Sequence, residues 1–364
     1  MSMRASLGSP IPEETVRIAH AAFPKGNVFM QMRDVLGSLY SDAQFAGLFA
    51  HTGQSAEEPA RLALVLVMQF TEGLSDRQAA NAVRGRIDWK YALALELTDP
   101  GFDASVLSEF RTRLIQGKVE HLLLETMLTL LQERSLLKAW GTQRTDSTHV
   151  LAAIRTLNRL ELVGDTMRFA LNRLAVVAPA WLRAHMQPEW PERYATRVEN
   201  YRLPKTDTAR QQLAAIIGAD GFALLHAAYA PQAPSEVRTA PAVEVLRHIW
   251  SQQYYGPEDT PRWRRARDVP PAARLIHAPY DLEARYSSKR GMAWVGYKAH
   301  ATETCDAETP HVITHVETTP ATSPDDNMLE TIHAAHAEKA LLPRDYLVDC
   351  GYTDAETFVA SAQD

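Results

Sequence analysis

Through the first 137 residues, apolar side chains recur at three- and four-residue spacing, the signature of amphipathic helices. The pattern predicts helices over 13–22, 28–40, 42–50 and, most strongly, 56–72. There Leu62, Leu64, Val65, Leu66, Val67, Met68 and Phe70 form a broad apolar surface that reads as a core helix. Ser75 and Asp103 stand where N-caps belong and open two further helices, 75–84, closed by Gly85, and 103–115. A Leu- and Met-rich repeat over 119–137 predicts one more. At 138–152 the period changes and a short extended piece is expected. Helical spacing resumes from 151 to about 251, clearest over 151–163, 166–177, 206–217, 222–230 and 242–253, with Pro179, Pro188, Pro191 and Pro204 as breaks. Residues 254–283, rich in Pro and Arg, read as irregular. Two strands follow, 293–304 and 311–319, joined by a loop at 305–310. A helix over 324–339 and a short apolar strand at 346–349 come next.

This order predicts an α/β fold. Its expected parts are a helical N-terminal domain (1–137), a first core strand (138–152), a helical insertion (153–253), a basic aromatic linker (254–292) and the remainder of the core (293–364). Hydrophobic residues make up 46% of the 364 and charged residues 23%, the balance of a globular chain able to bury several cores. The longest apolar run, around 62–70, is too short to span a membrane. The first residues lack the apolar core of a signal peptide. Cys305 and Cys350 are the only cysteines and offer no zinc spacing, so a reduced cytoplasmic setting is expected.

Net charge is −6, which speaks mildly against a nucleic-acid partner, but local patches set the field a ligand meets. Residues 260–298 carry nine Lys and Arg against three acids, interleaved with Trp263, Tyr280, Tyr286, Trp294 and Tyr297. Arg262, Arg264, Arg265, Arg267, Lys289, Arg290 and Lys298 are therefore candidate phosphate contacts. In the N-terminal part, short capped helices with Arg111 and Arg113 on the second element are compatible with a helix-turn-helix array or with a plain bundle. Arg155 and Arg159, four apart, fall on one side of the helix expected after 151 and could face DNA or water equally well.

Two carboxylates stand out. Asp146, between Thr145 and Ser147, ends the extended piece before a helix; locally it reads as an N-cap. Asp349 ends the apolar run Tyr346-Leu347-Val348, with Gly351 permitting a turn and Thr353 with Glu356 forming a capping box. In open α/β sheets, chemistry gathers at the carboxyl ends of strands, so the two acids could share one site. His149 and His300 are weaker candidates, more often structural on strands. Asp325 and Asp326 read as caps of a helix starting near Asn327, and Asp354 and Glu356 as part of the capping box.

Asp-Ser-Thr-His-Val at 146–150 and Val-Asp-Cys-Gly-Tyr at 348–352 resemble the first and second acidic motifs of DDE-type transposases of bacterial insertion sequences. The segments 158–171, 284–300 and 302–325 resemble the helix after the first motif and the second and third strands of that core; residues up to about 137 resemble the helical DNA-binding region. The resemblance implies an RNase H-like core, here with its insertion directly after the first strand. It also implies Asp146 and Asp349 as ligands of Mg²⁺ or Mn²⁺, with double-stranded DNA (element ends and target) as partner, a homodimer among the expected assemblies, and no membrane. These enzymes use a third acid, usually Glu, downstream of the second Asp. None is identified before Asp364, so the chain is expected to bind DNA but to cut it little or not at all. The alternatives are a DNA-binding remnant and a metal-dependent nuclease on the same core.

Overall fold

The computed structural model describes residues 10–50, 56–256, 261–289 and 291–353. The chain folds as two compact units, Met1–Gly141 with Asp306–Thr314, and Thr142–Cys305 with His315–Asp364.

The first unit is helical. In chain order it holds α1 (Glu13–Ala22), α2 (Val28–Leu36), α3 (Pro59–Glu72), α4 (Asp76–Gly85), α5 (Ile87–Ala92), α6 (Ser105–Gln116) and α7 (Leu122–Glu133). The stretch expected as a helix over 42–50 is a 3-10 turn, Asp42–Leu48. α3 starts on Pro59, whose missing N–H costs nothing at a first helical position. It buries Leu62, Leu64, Val65, Leu66 and Met68 in a core shared with Trp89, Leu107 and Phe110. α4 opens with a capping box in which Ser75 and Gln78 satisfy each other's backbone N–H. It buries Ala79, Ala80, Ala82 and Val83 and leaves Arg77, Asn81 and Arg84 exposed.

The second unit is built on a mixed sheet. Its elements are β1 (Thr142–Leu151), α8 (Arg159–Val177), α9 (Pro179–His185), α10 (Trp190–Tyr194), α11 (Asp207–Tyr229), α12 (Ser235–Arg238), α13 (Pro241–Gln253), β2 (Tyr254–Tyr255), β3 (Arg262–Trp263), β4 (Arg285–Lys289), β5 (Met292–Thr304), β6 (Ile313–Pro320), α14 (Leu329–Glu338) and β7 (Asp345–Val348). The strand order is β4-β5-β1-β7, with β6 also paired to β5. β5 runs antiparallel to β1 from Gln143↔Thr304 to Leu151↔Gly296. β7 runs parallel to β1, from Thr142↔Asp345 to Thr145↔Val348.

Several expectations change here. The helix expected from 151 starts only at Arg159, because Leu151 is still paired in β1 and the Asn158 side chain accepts from the N–H groups of Leu160 and Glu161. The pieces 206–217 and 222–230 are one helix, α11. The stretch read as irregular contains a small hairpin, Tyr254↔Trp263 and Tyr255↔Arg262, and the residues before 292 include β4. α8, α11 and α13 gather around Trp190, Trp250 and Tyr254 in one core. Among the described residues, α11 is long and apolar enough by length and composition to cross a membrane, longer than the run at 62–70; its Gly218 and Gly221 lie against Tyr254 and Trp250.

α14 covers one face of the sheet. Its His333 and His336 rings stand 4.9 and 6.4 Å from that of Tyr346 on β7, and Gln143 of β1 donates to the Leu341 carbonyl beyond it at 2.7 Å. The faces therefore differ along β1: Gln143 and Thr145 are buried, whereas Arg144, Asp146 and Thr148 are exposed.

Candidate functional site

Asp146 sits mid-strand, so it is not an N-cap; the helix that follows is capped by Asn158, twelve residues on. Since Thr145 pairs with Val348 in parallel register, the next step along both chains sets Asp146 level with Asp349. Adjacent strands lie about 4.8 Å apart, so the two acids stand side by side on neighbouring chain segments. Both are exposed. Across β1 on the other side, Asp146 faces Ala301 and Thr148 faces Ala299, so small side chains flank the first acid.

The turn after β7 is closely specified. The Asp349 carboxylate accepts from the Gly351 N–H at 2.9 Å, and the Tyr352 N–H donates to the Asp349 carbonyl at 3.1 Å. A Cβ at Gly351 would meet Asp349 Oδ1 at 3.0 Å and Asp325 Oδ2 at 3.7 Å, so glycine leaves room for both carboxylates. Asp325 thus belongs to the neighbourhood of the two acids. Its side chain makes no cap bond to the following 3-10 turn, contrary to the sequence reading. Instead Asp325 Oδ1 accepts from Lys298 Nζ at 2.7 Å, and Oδ2 lies 3.4 Å from the Ser147 hydroxyl. Lys298 also donates to the Ser323 carbonyl at 2.6 Å. The Lys298–Asp325 pair is nearly buried, and loss of either partner would strand the other's charge.

Beneath the acids the covered face is polar. Thr145 is hydrogen-bonded to Thr302 and to the Tyr346 hydroxyl, each at 2.5 Å. Burial raises the Tyr346 hydroxyl's pKa, against the pull of its hydrogen bonds with Thr145 and Thr302. Fully buried His300 meets the Tyr352 hydroxyl through Nδ1 at 2.6 Å and Thr319 through Nε2 at 3.1 Å. Burial pushes the His300 pKa down, and the nearby Lys298 charge adds to the effect while Asp325 opposes it. Tyr352 is pushed up by burial, countered by a hydrogen bond with Ser147 and reinforced by the charges of Asp325, Asp146 and Asp349. Three carboxylates thus act on one buried hydroxyl.

The other candidates scatter. His149 stacks on Trp294 with ring centroids 3.8 Å apart, a structural role. Lys298 is committed to Asp325 and is no free phosphate contact. Arg111 is paired with Asp76, which also accepts from Gln69; Arg113 lies over the Phe49 ring and donates to the Leu48 carbonyl. Arg155 donates to the Val198 carbonyl at 2.6 Å, and Arg159 donates to Gln253 and the Arg264 carbonyl while stacking 4.4 Å from the Trp263 ring centroid. Neither of these two offers a free face to a ligand. Arg264 lies over Tyr255. Arg262, Arg265, Arg267 and Lys289 are exposed, and Arg210, Arg262 and Arg265 line one recess with Trp263. Arg290, Asp354, Glu356 and the expected helix 354–362 lie outside the described residues. Sequence reasoning passed over Asp325 as a site residue, and over Tyr346 and Tyr352; the Tyr at the end of the second motif was the available signal for the last.

The fold is that of a mixed α/β protein with a helical unit of its own at the N-terminus. Residues 17–113 match the model of a family described as Transposase domain (DUF772), which supports a transposase family, and so a DNA-processing protein in general. No curated protein and no solved structure matches the chain.

Proposed function

We propose that the chain is a transposase of the DDE type, binding the ends of an insertion sequence and serving metal-dependent cleavage and strand transfer at Asp146 and Asp349. The observation that carries this reading is the parallel register that brings the two acids level on adjacent strands. A strand order of β5-β1-β7, with β7 parallel to β1 and β5 antiparallel to it, supports an RNase H-like core. Carboxylate oxygens are the donors that suit Mg²⁺ or Mn²⁺, and the two acids together supply such a set. Bound there, the ions would stabilise the attacking and leaving oxygens of an in-line phosphoryl displacement. Asp146 and Asp349 hold the reacting centre at the exposed side of the sheet. Ala299 and Ala301 leave space for a DNA backbone beside them, and Lys298 balances the charge of Asp325.

DNA binding would draw on both units. In the first, the exposed side of α4 offers Arg77 and Asn81, replacing Arg111 and Arg113 as candidate contacts. In the second, the exposed Arg262, Arg265 and Arg267 are the candidate contacts. A second reading, a DNA-binding protein that no longer cuts, is favoured by one observation: among the described residues, no group of three or more His, Cys, Asp or Glu is placed to share a metal ion.

The test uses labelled DNA that flanks the gene. The chain should retain it against competitor DNA, with affinity falling steeply as salt rises. Arg262→Ala/Arg265→Ala/Arg267→Ala should weaken binding to all DNA alike and reduce the slope of log K against log[salt] by roughly 2–3. Any nicking with Mg²⁺ or Mn²⁺ should vanish in Asp146→Asn and in Asp349→Asn. Affinity indifferent to salt, or nicking that survives both substitutions, would contradict the reading.

A further inference from the structure

We infer that Tyr352 is a positioning residue for the acid pair, its hydroxyl latching the turn that carries Asp349 to His300 of β5, the strand paired beside that of Asp146. The inference rests on the two-acid reading above and deepens it. Asp349 lies just beyond the end of β7, outside the ladder, so strand pairing alone does not hold it. The turn bonds through Gly351 and Tyr352 fix its local shape but not its place over the sheet. Tyr352 supplies that. It is fully buried, and its hydroxyl bonds to His300 of β5 at 2.6 Å. The register makes this selective, because Ser147 and His300 are direct cross-strand partners, one step along from Asp146 and Ala301. One hydroxyl therefore ties the turn after the second acid to the cross-strand partner of the residue next to the first.

The far end of the latch is also fixed. His300 Nε2 meets Thr319 of β6, and the His300 and Tyr352 rings meet edge to face at 5.6 Å and 87°. With His300 neutral, a consistent arrangement has Tyr352 donating to Nδ1 and Nε2–H donating to Thr319. Removing a hydrogen bond that orients a metal-ligating group costs about 10–100-fold in metal affinity, even where the ligand itself is untouched.

The experiment measures Mn²⁺ affinity by paramagnetic resonance on the full chain, alongside amide hydrogen exchange of residues 349–352. Asp146→Asn and Asp349→Asn serve as controls. Tyr352→Phe keeps the ring and removes only the hydroxyl. It should weaken Mn²⁺ binding about tenfold and speed exchange in the turn, with the unfolding midpoint little changed. His300→Asn, whose amide can still meet the hydroxyl, should retain more affinity than His300→Leu; this pair decides the matter if Tyr352→Phe proves unstable. Wild-type affinity and exchange in Tyr352→Phe, with binding still lost in Asp349→Asn, would overturn the latch and leave the two-acid site standing. Mn²⁺ binding that ignores Asp146 and Asp349 would overturn that site and the latch with it.

Discussion

His336 shows how far the buried face of the sheet departs from an ordinary core. It is fully buried on α14, with Nδ1 on the Ile332 carbonyl at 2.9 Å, and its pKa is lowered to about 4, mainly by burial and next by the neighbouring His315. An unfolded chain takes up this proton near pH 6.5, whereas the folded protein resists until about 4. The stability at stake is fully present above 6.5 and is lost as pH falls from 6.5 towards 4, amounting to roughly 1–3 kcal/mol. Urea midpoints followed over that range should fall less steeply for His336→Leu than for the wild type; equal slopes would assign the acid sensitivity to other groups. Legibility at this scale was uneven. Asp146 and Asp349 stood out because each lies in a recognisable motif. Asp325 and Tyr352 were passed over, and His300 read only as a weaker candidate, because partners brought in from other segments do not show in local sequence and the alternation along β5 is inverted. Lys298, His300, Thr302 and Thr304 share the polar side of that strand, which a reader assigns to solvent, yet His300, Thr302 and Thr304 are buried and the intervening Ala299 and Ala301 are only half-covered.

At the level of elements, the helical insertion teaches a similar lesson. Gly218 and Gly221 fall in the gap between the two helices expected over 206–217 and 222–230, and glycine in a helix interior is costly. They lie instead inside α11, where two aromatic rings press on the backbone. A Cβ at Gly221 would stand 2.1 Å from the nearest atom of Trp250, and one at Gly218 would stand 2.5 Å from Tyr254. Trp250 and Tyr254 anchor there by donating to the Gly218 and Ala214 carbonyls. Local propensity cannot report a ring arriving from a helix some thirty residues downstream. Gly221→Val should therefore destabilise the second unit by roughly 1–3 kcal/mol or more through overpacking, despite the better helix propensity of Val. A denaturant midpoint at or above the wild type would show that the ring moves aside freely. Helix starts were better read where a cap declares them, as at Ser75; periodicity placed the start of α8 too early because the apolar residues at 150 and 151 invite a helix, whereas the resemblance over 158–171 begins on its cap, Asn158.

For the whole molecule, the order of the longer helices and of β1, β5, β6 and β7 was legible from the change of period, and with it an α/β fold; β2, β3, β4 and the short helices were not. Pairing partners were not, because nothing in a run such as Tyr346-Leu347-Val348 says which strand it joins. That pairing is what the functional reading depends on: the register Thr145↔Val348 puts acids separated by two hundred residues of chain side by side. A site shared by both acids makes a specific thermodynamic demand, since groups holding the same ion cannot contribute independently. Mn²⁺ affinity measured for the wild type, Asp146→Asn, Asp349→Asn and the double variant closes a double-mutant cycle on that demand. The account predicts that each single substitution removes most of the affinity and that the double is scarcely worse than either. Losses that simply add, or a single substitution that leaves Mn²⁺ binding intact, would contradict it.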